Sequence, residues 1–355
     1  AVVGTCVILA LATLTDAPRR LIRERDTRVD GVNLDALDDG ELRALAGRVD
    51  LVEQLERRLA HGGRRLRRVA AASALGRVGS RTSLAPLSAG LTDPDREVAY
   101  AAAQALARYD DPHAYQALLD ALGGGDGLPG ARVVALLEEF RPATATVMIE
   151  RRASSDDSEV RHWVAYLLGR LADPSSAPVV EALSHDPDEG VRATAAEALG
   201  SFADADALGR LLSDDSWVVR CHAAKAVGKA RLAALAPRLA ELLEDRSWWV
   251  RQNSALALAE LGESAVEVLR PQLRSHDRFA RNKAAEVLVR TGYAARRIAE
   301  LDTPNGDALG ARRFLVDLGR AEAAGTIEAA FRDAHSGTRR AGLRAVLDEI
   351  GASAR

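Results

Sequence analysis

Between Asp173 and Gly200 the apolar positions fall into two helical stripes. Val179, Val180 and Leu183 form the first, after a turn opened by Asp173-Pro174. His185-Asp186-Pro187-Asp188 then interrupts the chain, because proline starts a helix well and continues one poorly. Val191, Ala195, Ala198 and Leu199 form the second stripe, which Gly200 closes. The pattern predicts two antiparallel helices joined by an Asp-rich turn. The same turn grammar recurs at Asp93-Pro94-Asp95, Asp214-Asp215-Ser216 and Asp245-Arg246-Ser247.

The phrase Val191–Gly200 is itself repeated. Related copies are Val160–Gly169, Val219–Gly228, Val250–Ala259 and Ala280–Val289, with weaker ones at Arg67–Gly76 and Val98–Ala107. The position of its Arg recurs at 68, 99, 131 or 132, 161, 192, 220, 251, 281, 311 or 312, and 339. A fixed step of about 30 residues means a stacked array of supersecondary units around one continuous core. The expectation is an all-α protein, a right-handed α-solenoid of about ten helix-turn-helix repeats over residues 49–351 with a tail at 352–355.

A different pattern precedes the repeats. Ala1–Leu14 is an uncharged apolar run that stops at Asp16 and Pro18 and is followed by Arg19, Arg20, Arg23 and Arg25. As a helix it would span roughly 21 Å, less than the ~30 Å of a hydrocarbon core. The basic flank reads as the cytoplasmic side of a transmembrane anchor over 1–26, with the repeats facing the cytoplasm. A secretory signal would need basic residues before the run, and a buried capping helix would not be followed by so many Arg. Without an anchor the chain would be a soluble cytoplasmic protein. Residues 27–48 read as a linker or helical lead-in, with turns at Val29-Asp30-Gly31 and Asp38-Asp39-Gly40. Leu51, Val52, Leu55 and Leu59 open the first repeat.

Composition supports the array and narrows the chemistry. Of the residues 47% are apolar but only 4% aromatic, so the core is built from Ala, Leu and Val. The net charge of −3 gives no global attraction to nucleic acid. Lys225, Lys229 and Lys283 are the only Lys among the 48 basic residues. Cys6 and Cys221 do not make a disulfide framework, and no metal-ligand spacing is legible. Gly123-Gly124-Gly125 lacks the Lys-Ser/Thr that a phosphate loop requires, and no Ser-His-Asp set can be argued from spacing. No cofactor and no catalytic residue is therefore expected.

An acid stands six residues before the register Arg in the pairs Asp186/Arg192, Asp214/Arg220 and Asp245/Arg251. The acid suits the N-terminal turn of the second helix, and the Arg can reach an acid of its own or an adjacent repeat. The phrases Asp186–Gly200 and Asp214–Gly228 resemble the bacterial HEAT-like repeats of the phycobilin-lyase type, which also serve in designed binding scaffolds. The resemblance covers roughly residues 49–351. It implies that the second helix of each pair lines a concave, ligand-facing surface.

On that face the resemblance places His162, Trp163 and Tyr166, then Trp217, His222 and Lys225. Further copies contribute Trp248, Trp249, Gln252 and Asn253, and then Arg278, Phe279, Asn282 and Lys283. All four Trp residues of the chain fall in this set. They could instead fill gaps between repeats, with Trp217 and Trp248 stacking as a ladder. Indole rings nevertheless suit recognition, being large, rigid and provided with one polar handle. The expected activity is non-catalytic: a scaffold that binds a protein partner through this face. The stretch Asp245–Asn253 and the phrase His276–Arg281 also resemble membrane-tethered bacterial HEAT proteins, which implies a membrane glycosyltransferase as partner.

Other functions carry different marks. HEAT-like DNA glycosylases combine Trp with Asp in a basic groove. Here Arg278, Arg281, Arg290, Arg296, Arg297, Arg312 and Arg313 are basic, but Glu159, Glu189, Glu197 and Glu286 share the face. A bilin lyase would fit the repeat type, yet no residue marks a chromophore site. Deoxyhypusine hydroxylase needs paired His-Glu dipeptides, and the chain has none.

Overall fold

The structure, a computed structural model, describes residues 28–29, 32–47, 50–123, 128–139, 144–303 and 306–353. The expected membrane anchor lies outside these residues. Among the described residues no helix is long and apolar enough to cross a membrane.

The chain divides into two compact units, one ending at Trp163 and one beginning at Val164. The fold of the described residues is all-helical as expected apart from a two-residue pairing in the stretch read as a linker, where β1 (Arg28–Val29) runs antiparallel to β2 (Val32–Asn33). Helices α1 (Asp39–Ala46), α2 (Leu51–His61), α3 (Arg65–Val78), α4 (Leu84–Gly90) and α5 (Arg96–Leu106) follow. After them come α6 (Pro112–Asp120), α7 (Gly130–Glu139) and α8 (Ala145–Glu150), and α9 (Ser158–Leu171) carries the boundary. Helix α1 falls in the stretch read as a lead-in, and it packs on the repeats. Leu42 is fully buried, and Arg77 of α3 binds Asp39 at 2.7 Å and the Leu34 carbonyl at 3.0 Å.

The second unit continues with α10 (Ala177–Leu183), α11 (Glu189–Phe202), α12 (Ala205–Leu211), α13 (Trp217–Lys229), α14 (Ala236–Glu241) and α15 (Trp248–Leu261). Helices α16 (Val266–Gln272), α17 (Arg278–Arg290), α18 (Tyr293–Ala299), α19 (Ala308–Leu318), α20 (Ala324–Arg332) and α21 (Gly337–Ser353) complete it. The short helix of each pair packs on the longer one that follows it, as α10 does on α11 and α12 on α13. Successive long helices pack side by side, as α11, α13 and α15 do.

Glycine sets how closely the long helices approach. A Cβ on Gly76 would stand 2.7 Å from Ala105 Cβ, and one on Gly169 would stand 2.6 Å from Ala198 Cβ. The final Gly of the repeated phrase is not the helix stop expected of it: Gly76, Gly169 and Gly200 lie inside α3, α9 and α11, which each run two residues further. It faces the Ala stripe of the next long helix and admits its backbone.

The turns show what the Asp and Arg letters do. Asp186, Asp214 and Asp245 accept N–H bonds from Asp188, Ser216 and Ser247 at 2.9, 2.9 and 2.7 Å. They hold the turn rather than the helix end. The helix end is capped two residues later, where the side chains of Asp188 and Ser216 accept from the first turns of α11 and α13. Of the two acids foreseen for it, the Arg reaches that of the adjacent repeat; in its own turn it binds a backbone carbonyl instead. Arg192 Nη1 donates to the Asp186 carbonyl of its own turn at 2.9 Å, while Nε and Nη2 grip Asp214 of the next repeat at 2.8 and 3.0 Å. Arg220 grips Asp245 in the same bidentate way, and Arg251 reaches Asp277. In the first unit Arg68 holds Asp93. Burial pushes the Asp214 and Asp245 carboxyls up. Hydrogen bonds from Arg192 and Ser216 to Asp214, and from Arg220 and Ser247 to Asp245, outweigh it and leave both below the usual range.

Replacing Arg220 by Ala strands the Asp245 carboxylate, only 8% exposed, and should cost about 2 kcal/mol in urea denaturation. Arg210→Ala, which loses only an exposed pair with Glu181, should cost less than about 1 kcal/mol. Equal losses would mean that the inter-repeat grip adds nothing.

Candidate functional site

The residues expected on the recognition face divide between the two units. His162 and Trp163 belong to the first. Their rings meet edge to face at 4.9 Å, and the Trp163 indole occupies the space that a Cβ on Gly130 would need. Trp163 thus fills a gap over α7, the packing role considered for all four Trp.

The other three Trp residues do not fill gaps. Trp217 opens α13, and Trp248 and Trp249 open α15; they are 46%, 54% and 50% exposed. Trp248 and Trp249 meet edge to face at 4.8 Å while remaining open to solvent. Further along α15, Leu256 is also exposed, seven residues after Trp249 and therefore on its side of the helix. Gln252 and Asn253 lie between them. Asn253 Nδ2 donates to the Trp249 carbonyl at 2.9 Å and to Cys221 Sγ at 3.1 Å, which ties α15 to α13. Burial pushes the Cys221 thiol up, so it is a packing group and not an activated nucleophile.

On α17 the picture is more closed. Phe279 lies between two cations, Arg251 at 5.5 Å and Lys283 at 5.7 Å from its ring centre. Arg278 and Asn282, expected as donors to a partner, both bind Glu322 at 2.7 and 2.6 Å. Lys283 binds Glu286 at 2.7 Å. Glu322 was not legible as part of the site. It stands at φ 63° in the irregular turn between α19 and α20, far along the chain from α17. Several Arg of the C-terminal stretch meet acids in the same manner, while Arg281 donates to the Ser275 and His276 carbonyls. Arg290 pairs with Glu286, Arg296 with Glu263, Arg297 with Glu300 and Asp307, and Arg312 with Glu349.

Between α11 and α13 a second grouping appears that spacing did not reveal. Lys225 Nζ lies 2.6 Å from Glu197 Oε1, and His222 Nδ1 lies 3.2 Å from the same oxygen. His222 and Lys225 were assigned to a partner, but both face an acid of the preceding repeat. The His222 imidazole, with the Lys225 ammonium, outweighs burial and holds the Glu197 carboxyl at about 2. Tyr166 of α9 lines a cavity beside this cluster. Among the described residues no group of His, Cys, Asp and Glu could hold a metal ion.

Because the Glu197 carboxyl falls from 4.5 to about 2 on folding, its contribution to stability is complete above pH 4.5 and lost as pH drops toward 2. In wild type against Glu197→Gln, the stability difference should therefore shrink over that window. Solvent screening of this half-buried group limits the change to about 1 kcal/mol. Chemical denaturation at stepped pH measures it; a constant difference would show that Glu197 is not ion-paired.

Residues 52–138, 145–213 and 205–289 match the family described as HEAT repeats, which together is more than half of the chain. Deoxyhypusine hydroxylase of Aspergillus clavatus is 43% identical over 86 residues, 22% of this chain and 26% of that protein. The Neosartorya fischeri enzyme is 42% identical over 86 residues, with the same shares covered. The chain thus spans about a quarter of the length of these curated relatives. Among solved structures, an engineered protein is similar at 20% identity and a TM-score of 0.39, covering 85% of this chain and 99% of its own. Kap95p, from a structure concerned with its binding to RanGDP, is similar at 13% identity and a TM-score of 0.47, covering 85% and 51%. The three matched segments contain the Val-Arg phrases, the Asp turns and the glycine contacts described above, and on them this chain belongs to the HEAT-repeat family.

Proposed function

We propose that the chain is a non-catalytic scaffold that binds a protein partner through the long-helix face of its second unit, with Trp217, Trp248 and Trp249 as anchors. One observation carries this reading: three large indoles stand about half exposed on neighbouring repeats, while the core is built from Ala, Leu and Val. Leaving such surface in water is costly, and its burial against a partner is favourable by about 25 cal/mol per Å² of apolar area. Repeat arrays offer long faces to extended or helical protein segments. The 86-residue likeness to deoxyhypusine hydroxylases is a likeness of repeats, since the chain contains no His-Glu dipeptide.

Trp217→Ala, Trp248→Ala and Trp249→Ala together should abolish crosslinking to partners captured in cell extracts, while the melting temperature changes little. Loss of stability with unchanged capture would instead make the indoles structural.

The finer form of the proposal sets this scaffold on the cytoplasmic side of a bacterial membrane, with a membrane enzyme such as a glycosyltransferase as partner. Its support is the uncharged run at 1–14 and the Arg cluster after it. The full chain should float with lipid vesicles in a density gradient, and a chain lacking residues 1–26 should not. Flotation of both, or of neither, would remove the anchor.

A further inference from the structure

A cavity of about 390 Å³ opens between the C-terminal halves of α9, α11 and α13, all within the second unit. Its floor is made of small residues, Gly169, Ala198, Gly200 and Ala226. These are the positions at which the long helices touch: a Cβ on Gly200 would stand 3.1 Å from Ala226 Cβ. The close contact below leaves an opening above, because no side chain on the floor is long enough to fill it.

The walls carry more positive than negative charge. Arg170, Lys225 and Lys229 line the cavity against a single carboxylate, Glu197, in a chain whose net charge is −3. Two of the chain's three Lys therefore stand in one place, four residues apart on the same side of α13. Lys225 uses one of its three N–H donors on Glu197. Lys229 is exposed and makes no ion pair among the described residues. Cations in a last helical turn often serve the unpaired carbonyls there, but here those carbonyls have other partners. The chain turns back through left-handed residues at Ala172, Ala203 and Arg231. Backbone N–H groups then reach Leu168, Leu199, Gly200, Val227 and Gly228.

We propose that this cavity seats a carboxylate side chain from an acidic segment of the protein partner, held by Lys225 and Lys229. Glu197 keeps the Lys225 ammonium in place and is itself satisfied by it, so the incoming acid is drawn to the remaining donors. The cavity lies about 12 Å along α13 from Trp217, within reach of one bound segment. The proposal rests on the protein-binding reading above and adds the charge of the partner to it.

The probe is a fluorescently labelled hexaglutamate peptide, with hexaglutamine as the neutral counterpart, followed by anisotropy at low ionic strength. Wild type should bind hexaglutamate and not hexaglutamine. The double variant K225Q/K229Q should bind about tenfold more weakly. R332Q removes an exposed charge elsewhere in the same unit and should leave binding within about twofold. Circular dichroism establishes that each variant is folded. Should K225Q release Glu197 and unfold the chain, Lys229→Gln alone carries the test and should weaken binding about threefold. Equal binding by wild type and the Lys variants, equal weakening by R332Q, or no binding by wild type would overturn the proposal. The Trp217/Trp248/Trp249 triple variant should still bind hexaglutamate. Its loss of partner capture judges the scaffold reading separately, so the two can fail independently.

Discussion

The closeness of neighbouring long helices is the constraint on which the other features depend. Where Gly76 meets Ala105, or Gly228 meets Ala257, a single added methyl would stand within 2.7 Å of the next backbone. At that separation the core has room for Ala, Val and Leu and for little else, which is why burial is almost complete at these residues. The same closeness brings Arg68, Arg192, Arg220 and Arg251 within reach of the next repeat's Asp. A ladder of bidentate pairs then costs little conformational freedom, because both partners are already positioned by helix and turn.

Tight packing also explains where the large residues go. An indole cannot enter an Ala-lined seam without forcing the helices apart, so it must either cover a glycine or face water. Trp163 does the first, over Gly130. Trp217, Trp248 and Trp249 do the second, at the N-terminal ends of α13 and α15. The cavity between α11 and α13 has the same origin, as the complement of a floor made from residues too short to fill the space above them. Recognition features in this chain are what the packing rule leaves over.

Polar groups follow a second regularity, which is neutralisation between repeats. Glu197 with Lys225 and Glu322 with Arg278 each join residues distant in sequence that neighbouring elements bring together. The result is a surface on which many formal charges are answered by a charge from another element. Charge counted along the chain therefore overstates what a partner meets, most of all in the Arg-rich C-terminal part. Lys229 makes no ion pair among the described residues and stands beside Lys225 at the cavity.

Much of the fold could be read from the letters alone. A helical period of apolar residues and an Asp turn are local signals, and their recurrence every thirty or so residues forces stacking, since one pair cannot bury its own apolar face. That the recurring Gly lies inside the helix and admits its neighbour was not legible. The Arg-to-Asp contact was foreseen in kind because both letters repeat in step. The site was legible only as a set of positions on one helical face. Which Trp packs against a neighbour depends on whether the facing helix offers a glycine, and Gly130 bears no sequence relation to Trp163. Which cations are spent depends on acids such as Glu322, brought in by an irregular turn that no periodicity announces. Local patterns determine elements and their order because those interactions run along the chain; exposure, pairing and cavities are decided by contacts between elements, which only the tertiary structure sets.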